Sequence, residues 1–400
     1  MLFHCAYSAC CFTYEGLTLL RFHLIPSRLS HDRTIDLTVR LFVAAETFCR
    51  RPTPSHQEVC RQHYARALQS LRRSLACGKD LNANEEVLIA IAMLATASHM
   101  LKSPDTAAHL KGTNAVLAAQ PDDGKQASEL MRASMLRNTV MMFASPLCKG
   151  EASPCDMNRC WLEMEVPALY ATTKVGKENA RLRMLSQQLF MRLPRLIAAV
   201  RKLRAGDAAG LTQATDLARD LLTLQDKAAE SSVLHAVSVR KSSPQDSAVL
   251  PYRYHFPDHH LYEAAVYYWQ ARLILNSLRV KIKVLHPNNR YTCADGIIEE
   301  LEAENVNFAM NMLMTLPYAI DIGWYGRHPL FIGTMALWGV TCTGASHLRS
   351  TPMDQIRALI LRRYRELMHR GAELTESLMD EAADTLAGGP IGALLYGYFG

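Results

Sequence analysis

The sequence predicts an all-α protein, a large irregular bundle of antiparallel helices. Apolar residues recur at three- and four-residue steps along most of the 400 residues, which is the spacing of a helix face. No alternating run of β-branched residues is paired through an Asn-Gly or Asp-Gly turn, so strands are not indicated. The 49% of hydrophobic residues and 20% of charged residues are typical of a globular protein and argue against global disorder.

In the first part of the chain the apolar spacing predicts five helices. Pro52 and Pro54 separate the first two, and Ser55 with Glu58 forms a capping-box pattern at the start of the second. The third helix is apolar on almost every face, which is typical of a helix buried in the middle of a bundle. The predicted spans are 34–50, 55–77, 87–101, 105–119 and 126–143.

The rest of the chain begins with a predicted loop over 145–156 and contains an exposed linker over 231–251. Both segments are rich in small and polar residues and lack a helical pattern. Prolines 194 and 317 are expected to interrupt or end helices. The predicted helices span 179–203, 208–224, 261–285, 296–316, 329–348 and 353–386, and we divide the chain into a variable segment, 1–22, and one helical domain, 23–400.

The charge, the cysteines and the hydropathy narrow the class of protein. The net charge of +6 permits contact with an anionic partner without arguing for one. The 11 cysteines are odd in number and contain no CxxC pair, which favours a reducing compartment over a disulfide framework or a cysteine-only zinc site. The apolar N-terminus lacks the basic region of a signal peptide, and no segment reaches the ~20 apolar residues of a membrane span. We expect a soluble intracellular protein with no membrane contact.

Motif searches predict no catalytic residue, cofactor or metal. The sequence contains no GxGxxG or GxxxxGK[ST] loop, no GxSxG elbow and no HExxH pair. The best metal candidate combines His255, His259, His260 and Glu263, because residues three and four apart share a helix face. The alternative, which we favour, is that Asp258 caps the helix and the histidines have no metal.

Two basic segments were considered as nucleic-acid sites. One spans 282–291, with Lys283 and Arg290 inside it and Lys281 directly before it. The other contains Arg192, Arg195, Arg201, Lys202 and Arg204. Neither carries an evident set of stacking aromatics or groove-reading geometry. A solvated helix face with long aliphatic stems is the preferred interpretation.

Four segments, taken in order, resemble the fungal-specific transcription factor domain, the helical regulatory region of zinc-cluster transcription factors. They are HYARALQSLRRSL (63–75), EEVLIAIAMLATASHML with HLKGTNAVLAA (85–119), YYWQARLILNSL (267–278) and MLMTLPYAIDIGWYGRHPLFIGTMALWGV (312–340). The resemblance implies an all-α regulatory domain in the nucleus. It also implies protein partners, such as a dimerising zinc-cluster regulator or a coactivator, and a small-molecule effector.

The sequence departs from that family where its members bind DNA. The N-terminal cysteines, Cys5, Cys10 and Cys11, include no CxxC pair and no basic run lies between them. We therefore expect contact with DNA only through a partner. The resemblance implies regulation of a fungal gene cluster, with secondary metabolism as the expected pathway. The alternatives are a non-transcriptional accessory protein or enzyme on the same scaffold, and an interaction module that titrates a full-length regulator.

Overall fold

The computed structural model describes most of the chain beyond its N-terminal segment. The predicted variable segment 1–22 lies outside the described residues, so the division at residue 23 stays a prediction. The described residues are 25, 28–76, 85–101, 103, 105–120, 127–153, 155–166, 174–286, 298–322, 324–342, 347–348, 351–368, 374–393 and 395.

The predicted all-α class is confirmed. The structure is 76% helical, with 14 helices among the described residues. The helices are α1 Arg33–Arg50, α2 Pro54–Ala76, α3 Glu85–Met100, α4 Thr106–Ala118, α5 Glu129–Lys149, α6 Arg159–Leu162, α7 Lys174–Arg204, α8 Ala209–Leu222, α9 Lys227–Ala236, α10 His259–Leu285, α11 Ile298–Asp321, α12 Trp324–Thr341, α13 Met353–Met368 and α14 Glu376–Leu386. Four short strands are β1 Ser238–Lys241, β2 Tyr252–His255, β3 His347–Leu348 and β4 Thr351–Pro352.

The chain divides into two compact units. The first unit comprises Met1–Met142 and Pro154–Glu165, and the second comprises Phe143–Ser153 and Val166–Gly400. Among the helices described here, none is long and apolar enough to cross a membrane.

In the first unit, α1 packs against α2 and α3, and α3 packs against α4. The Asp32 carboxylate caps α1 by accepting bonds from the amides of Thr34 and Ile35, which satisfies two donors that a helix leaves unpaired at its start. Ile35, Phe42 and Met93 form part of a shared apolar cluster. The buried positions of α3 agree with its apolar sequence.

The start of α2 differs from the predicted capping box of Ser55 and Glu58. Thr53 lies before the helix, and its Oγ1 accepts a bond from the amide of His56 at 3.2 Å. Pro54 then occupies the first helical position, where its missing N–H costs nothing and its fixed φ suits the helix. The cap is therefore Thr53.

In the second unit, α10 is the central element. It packs against α7, α11 and α12, and every residue from 261 to 276 is buried. Trp269, which has no exposed surface, anchors this core as expected of a large aromatic side chain. Over these residues the helix has no solvent face, so each polar residue between 261 and 276 lies in the protein interior.

The breaks predicted at Pro194 and Pro317 were wrong, and so was the start of the predicted loop near Pro146. Pro146, Pro194, Pro317 and Pro329 all lie inside helices, and α5 extends through the first residues of the predicted 145–156 loop. An internal proline costs about 3 kcal/mol in helix stability. Around Pro194 that cost is offset by burial, since Leu193, Leu196 and Ile197 are all inaccessible to solvent.

The segment 231–251 is largely exposed, as predicted, but it is an ordered helix end and hairpin and not an irregular linker. It contains the end of α9, strand β1 and the turn that leads to β2, and β1 pairs antiparallel with β2. The Asp246 carboxylate in the turn is buried and forms ion pairs with Arg362 and Arg363 of α13. This tertiary contact fixes a segment whose local pattern is weak. A second ladder of two residues in each strand joins β3 to β4. The sequence indicated no strands, and the strands in the described part of the chain are few and short.

Candidate functional site

A buried ion-pair network lies at the start of α10. The Asp258 side chain accepts a bond from the amide of Leu261 at 2.8 Å, which confirms the predicted cap. His259 and Glu263 share a helix face, and His259 Nε2 lies 3.0 Å from Glu263 Oε1. Arg183 of α7 forms an ion pair with Glu263 Oε2. Because Arg183 is 1% exposed and Glu263 is 5% exposed, this pair is shielded from solvent screening.

The network contains two of the four candidate metal ligands, His259 and Glu263. Both oxygens of Glu263 already contact partners, His259 and Arg183. His255 lies on β2 with its ring edge-on to that of Tyr318, at a centroid distance of 5.7 Å. Within the described ranges no group of three or more His, Cys, Asp or Glu side chains is arranged to hold a metal ion. The geometry favours a structural role for Glu263.

An aromatic layer surrounds this network. The rings of Phe256, Tyr262 and Tyr318 pack against one another with centroid distances of 5.4, 5.1 and 5.3 Å. Burial raises the pKa of the Tyr262 hydroxyl well above its ordinary value. Apolar rings lower the local polarity, and the attraction between Arg183 and Glu263 is correspondingly stronger than at the surface.

A second buried charge lies further along α10. Arg272 Nη2 lies 3.2 Å from Glu304 Oε1 of α11, and Asn276 donates to Glu304 Oε2 at 2.6 Å. The Arg272 guanidinium also stacks over the Phe308 ring at 5.9 Å. On α9, burial raises the pKa of Glu230. Arg272 on α10 and Glu304 on α11 therefore face each other as an ion pair between the two helices.

Gln270 is a polar side chain of α10 for which the described residues provide no such match. It has no exposed surface, and in the described part of the chain neither Oε1 nor Nε2 has a hydrogen-bond partner. Gly333 of α12 faces it: a Cβ placed there would lie 2.8 Å from Gln270 Oε1 and 2.6 Å from Met312 Cε. A buried polar atom left without a partner costs about 1–3 kcal/mol. Within the described residues the Gln270 amide therefore has an unpaired donor and an unpaired acceptor.

Sequence reasoning missed Gln270 as a candidate. The signal available was an uncharged amide in the middle of a helix that is apolar on all sides, within the segment YYWQARLILNSL. Such a position is costly without a partner. The approach of Gly333 depends on how α12 packs, which periodicity alone does not give.

In the first unit a polar cluster joins α2 to the start of α4. Tyr64 Oη donates to Asp105 Oδ2 at 2.9 Å and lies 2.8 Å from His109 Nε2. Burial is the main cause that raises the pKa of Tyr64 to about 12, and burial lowers the pKa of His109. A Cβ on Gly112 would meet Ile91 at an ordinary 3.5 Å, so the packing does not require glycine there.

The lowered pKa of His109 predicts a loss of stability in acid. Unfolding returns the ring to an ordinary pKa of about 6.5, so the unfolded chain binds more protons than the folded chain below that pH. The contribution of neutral His109 is therefore complete above about pH 6.5 and is lost as pH falls toward the lower pKa of the folded state. We expect the urea midpoint to fall over this window, and His109→Gln to flatten the fall.

The matched control for this measurement is His31→Gln, because His31 is an exposed histidine of the same unit. It should leave the pH dependence as in the original protein. An equal slope in the His109→Gln and original proteins would contradict the assignment of the acid sensitivity to His109.

Two arginines in the basic stretch of α7, Arg201 and Arg204, make internal contacts. The Arg201 guanidinium donates to the carbonyls of Cys148, Lys149 and Gly389 at 2.8, 2.5 and 2.6 Å. Arg204 forms an ion pair with Asp384 at 2.7 Å. The preferred sequence interpretation was wrong for these two residues, because tertiary contacts use their donors internally.

The remaining sequence candidates are also accounted for where the structure describes them. Lys283 is 8% exposed, whereas Arg290 lies outside the described residues. Cys148, Cys155 and Cys160 are all buried, and burial raises the pKa of Cys148 to about 12. Such a thiol is protonated at neutral pH and unreactive.

Comparisons with family models, with curated proteins and with solved structures found no match. The resemblance to the fungal transcription factor domain therefore rests on the four sequence segments. In the structure, 63–75 lies in α2, 85–119 covers α3 and α4, 267–278 lies in α10, and 312–340 covers the end of α11 and most of α12.

Proposed function

We propose that this chain is a transcription-regulator-like protein of the nucleus that controls a fungal gene cluster, with secondary metabolism as the proposed pathway. Its helical body contacts protein partners, a zinc-cluster regulator or a coactivator, and reaches DNA through them. The order of the four resembling segments supports the class of protein. The lack of a CxxC pair in the sequence supports an indirect contact with DNA.

The proposal includes a small-molecule effector, and Gln270 is the observation that carries this part. Its amide is fully buried with both polar atoms open, in the middle of a helix that also contains the third resembling segment. Binding sites in helical bundles are built from side chains of facing helices. An effector that bonds to Gln270 would be a mainly apolar molecule with one neighbouring donor and acceptor, such as an amide or a hydroxy-carbonyl compound.

Deletion of the gene tests the class of function. We expect transcripts of neighbouring biosynthetic genes to change in the deletion strain and to return when the gene is restored. Unchanged transcripts together with altered metabolites would contradict the proposal and would favour the alternative of an accessory protein or enzyme on the same scaffold. Co-purification of the tagged chain with a CxxC-bearing regulator tests the proposed route to DNA.

A further inference from the structure

Strand β1 forms one edge of the two-stranded β1–β2 sheet. It pairs with β2 alone, and all four of its residues, Ser238–Lys241, are exposed. An exposed edge of this kind presents main-chain donors and acceptors to any extended chain that approaches it.

The register identifies which main-chain groups face outward. Opposite residues in an antiparallel ladder alternate between pairs that exchange hydrogen bonds and pairs that do not. The amide of Ser242 donates to the carbonyl of Pro251 at 3.0 Å, so Arg240 opposite Arg253 is the next bonded pair. The N–H and C=O groups of Val239 and Lys241 therefore point away from β2. Across the described residues no hydrogen bond reaches them.

The side chains on this edge set the chemistry of a partner. Val239 is 58% exposed and Tyr252 is 53% exposed, so apolar surface is available beside the strand. Arg240 and Lys241 supply two positive charges, and neither has an acidic partner in the described ranges. The neighbouring Arg253, in contrast, is paired with Asp321 at 2.7 Å.

We propose that β1 binds an acidic, extended peptide segment of another protein by strand addition. The incoming strand bonds to the main-chain groups of Val239 and Lys241. Because successive side chains of a strand alternate between its faces, its carboxylates lie on the face of Arg240 and its apolar side chains lie on the opposite face, beside Val239. A second copy of this chain fits less well: antiparallel pairing of β1 with itself over these same groups places Arg240 opposite Arg240 of the other copy, and like charges directly opposite are unfavourable.

This inference goes beyond the proposed function and stands without it. The experiment measures binding by the purified full chain, and transcription plays no part in the readout. Failure of the peptide to bind would therefore leave the interpretation of the deletion experiment unchanged. Unchanged transcripts in the deletion strain would likewise say nothing about peptide binding.

The probe is a short acetylated and amidated peptide of alternating glutamate and valine carrying a fluorophore, with binding followed by fluorescence anisotropy at low salt. We expect saturable binding that weakens as salt rises. Two further peptides serve as controls: the same sequence with lysine in place of glutamate, and the same sequence N-methylated along the edge that would bond to β1. Each should bind at least about tenfold more weakly. A factor of this size corresponds to the loss of about one charge-assisted contact or hydrogen bond.

The protein variant is Val239→Pro, matched with Val239→Thr. Proline removes the outward N–H of residue 239 and leaves the bonds to β2 in place, which edge strands tolerate, whereas threonine keeps both the N–H and the strand preference. We expect Val239→Pro to weaken binding at least about tenfold and Val239→Thr to preserve it.

Four results would overturn the inference. They are no binding by the original protein, equal binding of the lysine peptide, equal binding of the N-methylated peptide, and concentration-dependent dimers that Val239→Pro abolishes. Binding of the N-methylated peptide is measured with the original protein. That comparison therefore tests the inference even if Val239→Pro unfolds the hairpin.

Discussion

Replacing Arg183 with methionine is expected to lower the free energy of unfolding of the second unit by about 3–5 kcal/mol. The substitution leaves the Glu263 carboxylate buried without its guanidinium partner. A buried charge that has lost its partner is far less favourable than either the intact pair or an apolar replacement of both residues. Equilibrium urea denaturation measures the change.

The double substitution Arg183→Met with Glu263→Leu separates a charge effect from lost packing. Removing both charges should restore at least half of the stability lost in Arg183→Met, although the second change truncates another buried side chain. Additive losses in the double variant, or a loss below about 1 kcal/mol in Arg183→Met, would show that the network contributes little.

Replacing Asp246 with asparagine should have the next largest effect, a loss of about 3 kcal/mol together with loosening of the β1–β2 hairpin. Asp246 is 1% exposed and faces two guanidinium groups. Arg362 is 37% exposed, so its pairing contributes little, whereas Arg363 is 11% exposed and accounts for most of the expected loss. Hydrogen exchange at the amide of Ser242, which bonds to Pro251, should speed up.

Asp216→Asn is the matched control for Asp246→Asn. Asp216 is 61% exposed and pairs with Arg219 within α8, so its replacement should change the stability by less than about 0.5 kcal/mol. Similar losses from the two asparagine variants, or an unchanged exchange rate at Ser242, would contradict the role assigned to Asp246.

The fold class followed from the sequence because helical periodicity is a local property. The spacing of apolar residues is sufficient to place most of α1, α10 and the buried α3. The errors lie where tertiary contacts override local preference. Pro194 stays inside α7 because its neighbours are fully buried, and the weak pattern over 231–251 becomes a hairpin because Asp246 reaches α13.

The candidate site was less predictable for the same reason. Spacing placed His259 and Glu263 on one face, and the sequence identified Asp258 as the cap. Arg183 is 80 residues away in the chain, so no local pattern joins it to Glu263 or removes the metal interpretation. Gln270 is visible as a polar residue in an apolar helix, yet its open amide depends on the approach of Gly333 and Met312.

The most direct test of the account replaces Gln270 with leucine, which keeps the size and removes the amide. Purified Gln270→Leu protein should be more stable than the original, since about 1–3 kcal/mol of unfavourable burial is removed. Thr315→Val is the matched control, because the Thr315 hydroxyl bonds within α11, to the carbonyl of Asn311 at 2.7 Å.

Transcript levels in a strain that carries Gln270→Leu are the deciding measurement. We expect the Gln270→Leu protein to be stable and the cluster transcripts in its strain to match those of the deletion strain. The Thr315→Val strain should have the transcript levels of the original strain. Transcripts in the Gln270→Leu strain that match the original strain would contradict an effector bound at Gln270.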